Sequence, residues 1–168
     1  MRDWQTSPEA KNEFVVEGGV VWIRLTQGKE TCIDSTDWGR ARTKRWYARR
    51  SRNTFYAVTG ASKPLHVFLS GKSGLDHEDR NGLNNRRNNL REASDSQNRI
   101  NSPKRKGCSS RYKGVCFYKP RAKWRARLGV GGSDKHLGDF IHERDAALAY
   151  DEAAKAMYGS FAILNFPQ

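Results

Sequence analysis

The run from Leu75 to Asn101, LDHEDRNGLNNRRNNLREASDSQNRIN, constrains this chain more than any other stretch. Within it, Ser94-Asp-Ser-Gln97 is a capping-box pattern, a side-chain oxygen at the N-cap followed three residues later by Gln. A helix should therefore start at Ser94 and hold Asn98 in its first turn. Upstream, His66 to Leu69 reads as a short strand, Gly71 to Gly74 loosens the chain before Asp76-His77, and Leu90 to Ala93 can return antiparallel. The expected order is strand, long loop, strand, helix, with the key residues at the end of the first strand and the start of the helix. Asp76 presents a carboxylate oxygen and Asn98 an amide oxygen, hard ligands that suit Mg2+ or Mn2+. His77, beside the carboxylate, carries the side chain best suited to take a proton from water near neutral pH.

A formal charge of +13 over 168 residues, with the basic side chains clustered, predicts a polyanionic partner. A hard cation and a water-activating base beside such a surface suggest hydrolysis of a nucleic-acid phosphodiester. No apolar run reaches membrane-spanning length and the N-terminus MRDWQTSPEAKNEF is polar, so neither a membrane span nor a signal peptide is expected. Cys32, Cys108 and Cys116 show no CxxC spacing, which points to thiols in a reducing compartment rather than a disulfide framework or a Cys-rich zinc site. Hydrophobic residues are 36% of the chain, low for one well-filled globule, so small modules with modest cores are expected.

Residues 1–17 read as a poorly ordered lead-in. GVVWIRLTQGKETCI reads as a β-hairpin turning at Thr26 to Lys29, and Asp34-Ser-Thr-Asp37 carries helix-starting side chains ahead of Trp38. Two strands follow, around Trp46-Tyr47-Ala48 and at Phe55 to Val58. Seven basic residues and no acidic one lie between Arg40 and Arg52, either a solvated turn region or a contact to a nucleic-acid backbone. NSPKRKGCSS supplies the boundary, with Pro103 discouraging the helix and Gly107 and two serines adding flexibility. Beyond it, strands at Tyr112 to Tyr118, Lys123 to Val130 and His136 to Phe140 precede an alanine-rich helix at Glu143 to Tyr158, ended by Gly159.

Asp76-His77, then Asn85-x-x-x-Asn89-Leu90, then Asn98 nine residues past Asn89 resembles the catalytic motif of phage-type HNH (ββα-metal) homing endonucleases. The resemblance implies Asp76 and Asn98 as metal ligands for one Mg2+ or Mn2+ and His77 as general base. It implies Asn89 as the central Asn that hydrogen-bonds the loop carrying the His and so fixes its tautomer, with Asn85 the alternative for that task. In such a site the base takes a proton from water, the water attacks phosphorus in line, and the cation stabilises the departing 3′ oxygen. RLTQGKETCIDSTDW and RWYAR extend the resemblance back to about Val20. Val67 follows His66 where many relatives carry Arg, and Glu78-Asp79-Arg80 is more charged than the usual run. His66, Arg86 and Arg87 are candidate phosphate contacts; for His66 a structural or phosphate-contacting role is favoured over a catalytic one.

In the C-terminal part, Trp124-Arg-Ala-Arg-Leu128 alternates apolar and basic, so one face can pack on a helix while Arg125 and Arg127 point outward. SRYKGV, KWRARL, HLGDF, AALAYDEAAKAMYG and the terminal LNFP resemble the plant-type APETALA2 DNA-binding domain from Ser109 to Pro167. The resemblance implies Arg125 and Arg127 as base or backbone contacts, with Lys113, Tyr118 and His136 around them and Arg121 and Lys123 gripping phosphates. Cys116 stands where the plant proteins often carry Arg.

The expected fold is α+β: a ββα-metal module over 18–102, preceded by β-hairpins, joined by a basic linker (103–109) to a three-stranded antiparallel sheet packed on one helix (110–168). The expected function is a metal-dependent, homing-type DNA endonuclease acting on double-stranded DNA, encoded by a phage and working in the host cytoplasm. The alternatives are a non-catalytic DNA-binding regulator with a decayed nuclease module, and a nuclease that recognises RNA or junction structure.

Overall fold

Two features of the first nineteen residues start the fold: the apolar run Phe14-Val-Val and the Gly18-Gly19 pair. In the computed structural model, which describes residues 2–51, 54–104 and 107–167, they form a hairpin. Arg52, Arg105 and Lys106 of the basic stretches above lie outside the described residues. Gly18 and Gly19 take φ of +54° and +80°, the left-handed values that a tight two-residue hairpin turn demands. The lead-in expected to be poorly ordered thus supplies strand β1, Phe14–Glu17, paired antiparallel with β2, Val20–Arg24. Gln5 and Phe14 exchange backbone hydrogen bonds of 2.8 and 3.0 Å that tie down the residues before it.

The chain divides into two compact units, Met1–Glu92 and Ala93–Gln168. Both are mixed α and β, built from small antiparallel sheets and few helices. In the first, β3 (Glu30–Asp34) joins β2 through the expected turn, and the short helix α1 (Trp38–Ala41) follows the expected start. A separate ribbon pairs β4 (Tyr47–Ser51) with β5 (Thr54–Val58). The core gathers Val21, Ile23, Ile33, Trp46 and Leu65. The Trp46 indole N–H donates to the Ala41 carbonyl at 2.8 Å, so the largest buried side chain leaves no polar atom unpaired.

His66 to Leu69, expected as a strand, lies instead in helix α2, Leu65–Ser70. Leu65 and Leu69, one helical turn apart, bury against the core, and Phe68 packs edge-on against Trp46. Pro64 precedes the helix and Gly71 closes it at φ +72°. A six-residue helix is marginal in isolation, so burial of this stripe overrides the strand preference of Val67 and Phe68. The strand that carries Asp76 and His77 is β6, Leu75–His77, paired with β7, Leu90–Glu92.

In the second unit, helix α3 (Asp95–Ile100) opens with both halves of the capping box: Gln97 N–H to Ser94 Oγ at 3.2 Å and Ser94 N–H to Gln97 Oε1 at 2.8 Å. Strands β8 (Val115–Tyr118), β9 (Lys123–Val130) and β10 (Ser133–Phe140) form an antiparallel sheet with β9 in the middle. Helix α4, Glu143–Tyr158, lays Ala146, Ala147 and Ala154 on that sheet. Ile100 of α3 shares a core with Leu128, Tyr150 and Ala154, so the helix grouped by sequence with the preceding module packs with the sheet that follows it. The Asp151 carboxylate accepts the backbone N–H groups of Asn165 and Phe166, both at 2.8 Å, and straps the terminal LNFP segment down.

Candidate functional site

The β6–β7 register sets Asp76 opposite Arg91 and His77 opposite Leu90. Arg91 donates to Asp76 Oδ2 from Nε at 3.3 Å and Nη2 at 3.2 Å, the two side chains being 17% and 12% exposed. His77 is buried, with Nε2 3.2 Å from the amide oxygen of Asn85. Its ring meets His66 edge-on, centroids 4.8 Å apart, and Tyr56 at 5.7 Å. Burial pulls the His77 pKa below its usual value, and the Asn85 hydrogen bond with the carboxylates of Asp79 and Asp76 offsets only part of that. A neutral imidazole is the form that can accept a proton.

Two asparagines hold the loop between β6 and β7, by different means. Asn89 donates through Nδ2 to Asp79 Oδ1 (2.9 Å) and to the Asn84 carbonyl (2.8 Å), and accepts the Asp79 N–H (3.0 Å). Asn85 is the one that touches the His77 ring, and its Nδ2 donates to Thr31 Oγ1 at 2.8 Å. Its backbone N–H reaches the Cys32 carbonyl at 2.8 Å while the Cys32 N–H reaches Leu83 at 3.0 Å, so the loop adds onto β3. Gly82 lies so close to the Tyr56 ring that a Cβ there would sit 2.7 Å from it, which explains a residue without a side chain at that point.

The three candidate phosphate contacts are all engaged within the unit. Arg87 donates to Asp37 at 2.9 and 2.7 Å, and its backbone N–H to Asp34 at 2.8 Å; Arg86 donates to Asp34 at 3.2 Å. His66 is 8% exposed, and burial, reinforced by any charge on His77, lowers its pKa to about 4. It is therefore uncharged near neutral pH and adds no attraction for phosphate. Because the folded pKa lies below the unfolded value of about 6.5, the unfolded chain binds the extra proton first. This contribution to stability is complete above pH 6.5 and is lost as pH falls towards 4, up to about 3 kcal/mol. Urea unfolding across that range should show a shallower pH slope for His66→Phe than for the unaltered protein; equal slopes would contradict the assignment.

Asn98, the second metal ligand implied by the resemblance, lies on α3 in the second unit. Sequence reasoning missed Arg91, Tyr56 and Thr31. Only Arg91 left a signal, since an antiparallel return of β7 places it across from Asp76.

On the outward face of the second sheet, Arg125 and Arg127 part company. Arg125 grips Asp139 with two hydrogen bonds, 2.7 and 2.8 Å, and its guanidinium stacks 3.5 Å over the Tyr118 ring. Those bonds hold the Asp139 carboxyl down at about 2. Arg121 and His136 lie 3.5 and 3.8 Å from the same carboxylate. Arg127, across from His136, is exposed and makes no ion pair among the described residues, and Lys123, across from Tyr118, is exposed as well. Lys113 turns its ammonium to the carbonyls of Ile100 and, at 2.6 Å, Ser102, closing the end of α3. Among the described residues no helix is long and apolar enough to cross a membrane.

An uncharacterised HNH endonuclease of Acanthamoeba polyphaga mimivirus is 28% identical over 172 residues, covering 96% of this chain and 89% of the relative. The dehydration-responsive element-binding protein 2C of Arabidopsis thaliana is 43% identical over 75 residues, 38% of this chain. An AP2-like ethylene-responsive transcription factor of the same plant is 42% identical over 60 residues, 34% of this chain. The matched regions span only 22% and 12% of those two plant proteins. No protein-family model and no solved structure matches the chain. The similarity is thus distant, to an HNH endonuclease along nearly the whole chain and to plant DNA-binding factors over part of it, which suggests nuclease or DNA-binding function.

Proposed function

We propose that this protein is a metal-dependent HNH endonuclease that hydrolyses double-stranded DNA, with the β8–β10 sheet holding the target. The observation that carries the proposal is His77: a buried, neutral imidazole fixed by Asn85 at the end of a strand, next to Asp76. The order β6, long loop, β7, α3 supports a ββα-metal site, the distant similarity to a viral HNH endonuclease supports nuclease activity, and we assign the chain to the homing type borne by phages and other mobile elements.

The donor chemistry fits a hard cation. Asp76 and Asn98 offer only oxygens, and among the described residues no group of three or more His, Cys, Asp and Glu forms a cage for a softer metal. The pairing of Asp76 with Asn98 rests on their sequence spacing. Mg2+ or Mn2+ held there would supply positive charge to the phosphate and the departing 3′ oxygen. His77 accepts the proton of the attacking water, Asn85 holds its ring, Asn89 holds its loop, and Arg91 keeps the Asp76 carboxylate in place.

Metal-dependent nicking of supercoiled plasmid by the full chain tests the proposal. Specific binding without any nicking would favour the second reading, a DNA-binding regulator, which draws on the partial similarity to plant transcription factors. On the sheet, the exposed Arg127, with no ion pair among the described residues, is the stronger candidate for DNA contact. Arg127→Ala should weaken DNA binding by about 1–3 kcal/mol if it reads a base, with little change in melting temperature. Arg125→Ala should lower the melting temperature more, because it takes from Asp139 its two shortest hydrogen bonds and leaves only the longer contacts to Arg121 and His136. Gel shifts and thermal melts of both variants decide this; equal effects of the two on each measurement would refute the division.

A further inference from the structure

We infer that Lys113 is a positioning residue for Asn98: it pins helix α3 to the core formed by β9 and α4, so that the sheet unit folds the helix whose Asn98 is offered to the cation. The inference rests on the nuclease proposal only for its kinetic consequence; the pinning of α3 follows from contacts within the second unit.

Helix α3 does not account for its own stability. Its six residues, Asp95–Ile100, are too few to hold a helix in water, even with a capping box. The residue it buries is Ile100, which sits among Leu128 of β9 and Tyr150 and Ala154 of α4. Residues two apart in a helix are separated by about 200° around its axis, so the face docked on this core is not the one that carries Asn98. The rest of the unit grips the helix by one side and leaves Asn98 half-buried on the other.

The C-terminal end of α3 is where Lys113 acts. The last carbonyls of a helix have no partner within it. Here the Asn98 carbonyl accepts from Ser102 Oγ at 3.0 Å, a bond made by the segment itself. The Ile100 and Ser102 carbonyls instead take the Lys113 ammonium, Ser102 at 2.6 Å, and a cation at that end also offsets the negative pole of the helix. Lys113 is itself fixed. Its backbone N–H donates to Asn165 Oδ1 at 2.7 Å, and Asn165 Nδ2 donates to the Lys113 carbonyl at 3.1 Å and to Asp151 Oδ1 of α4 at 3.0 Å. The next residue, Gly114, lies against the Tyr150 ring, where a Cβ would stand 2.0 Å from it. Helix α4, the terminal segment, Lys113 and α3 are thus joined in one hydrogen-bonded chain. To reach a DNA phosphate, the role implied by the plant-domain resemblance, the ammonium would have to give up two carbonyls.

Native-state hydrogen exchange of the full-length protein at low denaturant tests the pinning first. The amides of α3 should open together with those of β9 and α4 and with the same dependence on denaturant. Opening of α3 by itself, independent of denaturant, would overturn the inference without any variant being made. In Lys113→Met, which keeps an apolar stem, exchange in α3 should quicken about tenfold or more, the scale for hydrogen bonds to a charged group. The Mg2+ concentration for half-maximal plasmid nicking should rise several-fold, while DNA affinity and its salt dependence stay as they were. Lys113→Arg, which keeps a cationic donor, should restore most of the protection and of the Mg2+ response. Weaker DNA binding with a log-log salt slope shallower by about 0.9 would make Lys113 a phosphate contact and overturn the inference. So would a folded Lys113→Met protein whose α3 exchange is unchanged, or a Mg2+ requirement that stays the same although α3 has loosened. If α3 behaves as expected but the unaltered protein never nicks DNA, the pinning stands and the nuclease proposal falls.

Discussion

His77→Ala should slow plasmid nicking by about a hundredfold or more, the usual scale for a lost general base. DNA affinity should barely change, because the ring is buried and neutral and contributes little to phosphate attraction. The truncation also leaves the Asn85 amide oxygen without its donor and opens a space beside His66 and Tyr56, so some stability will be lost as well. Rates must therefore be compared at a temperature where circular dichroism shows both proteins folded. His66→Ala is the matched control, since it removes the other ring of the same edge-on pair. If the two variants slow nicking equally, or if His77→Ala nicks near-normally, His77 is not the base.

The second large effect concerns the metal. Excess EDTA should abolish nicking, and Mg2+ or Mn2+ should restore it, because the proposed ligands are all oxygens. Asp76→Ala should remove the metal-stimulated rate, but it also takes from the Arg91 guanidinium the closer of its two carboxylate partners, leaving Glu78 at 3.6 Å. A double variant, Asp76→Ala with Arg91→Met, separates the two consequences by removing the charge pair together. It should recover stability relative to Asp76→Ala and remain inactive. Recovery of nicking along with stability would mean that Asp76 serves the fold rather than the cation. Asn98→His would add a nitrogen ligand and should shift the ion preference towards softer divalent metals. Full activity in excess EDTA would dispose of the metal site altogether.

What could be read in the sequence were features whose cause is local. The Ser94-to-Gln97 capping box involves groups within one turn, and both of its hydrogen bonds form. Strand β9 and helix α4 start and stop at the residues where alternation, alanine content and Gly159 place them. The β2–β3 hairpin closes at the expected turn. In each case, a residue and its near neighbours already contain the physics.

The tertiary structure decided whatever depends on a partner far along the chain. His66 to Leu69 has strand-forming residues, yet burial of Leu65 and Leu69 against Trp46 and its neighbours selects a helix. Arg125 and Arg127 look alike in an alternating strand; Asp139, on the next strand, grips the first, while the second stays exposed. Lys113 carries a charge that sequence assigns to DNA, but its reach to the carbonyls of Ile100 and Ser102 exists only once α3 is in place. Asp76-His77 could be singled out by spacing, whereas the choice of Asn85 as the ring's partner required Thr31 and Cys32, more than fifty residues upstream, to be brought beside it. Local propensity sets which conformations a segment can adopt cheaply, and burial and pairing over long range choose among them.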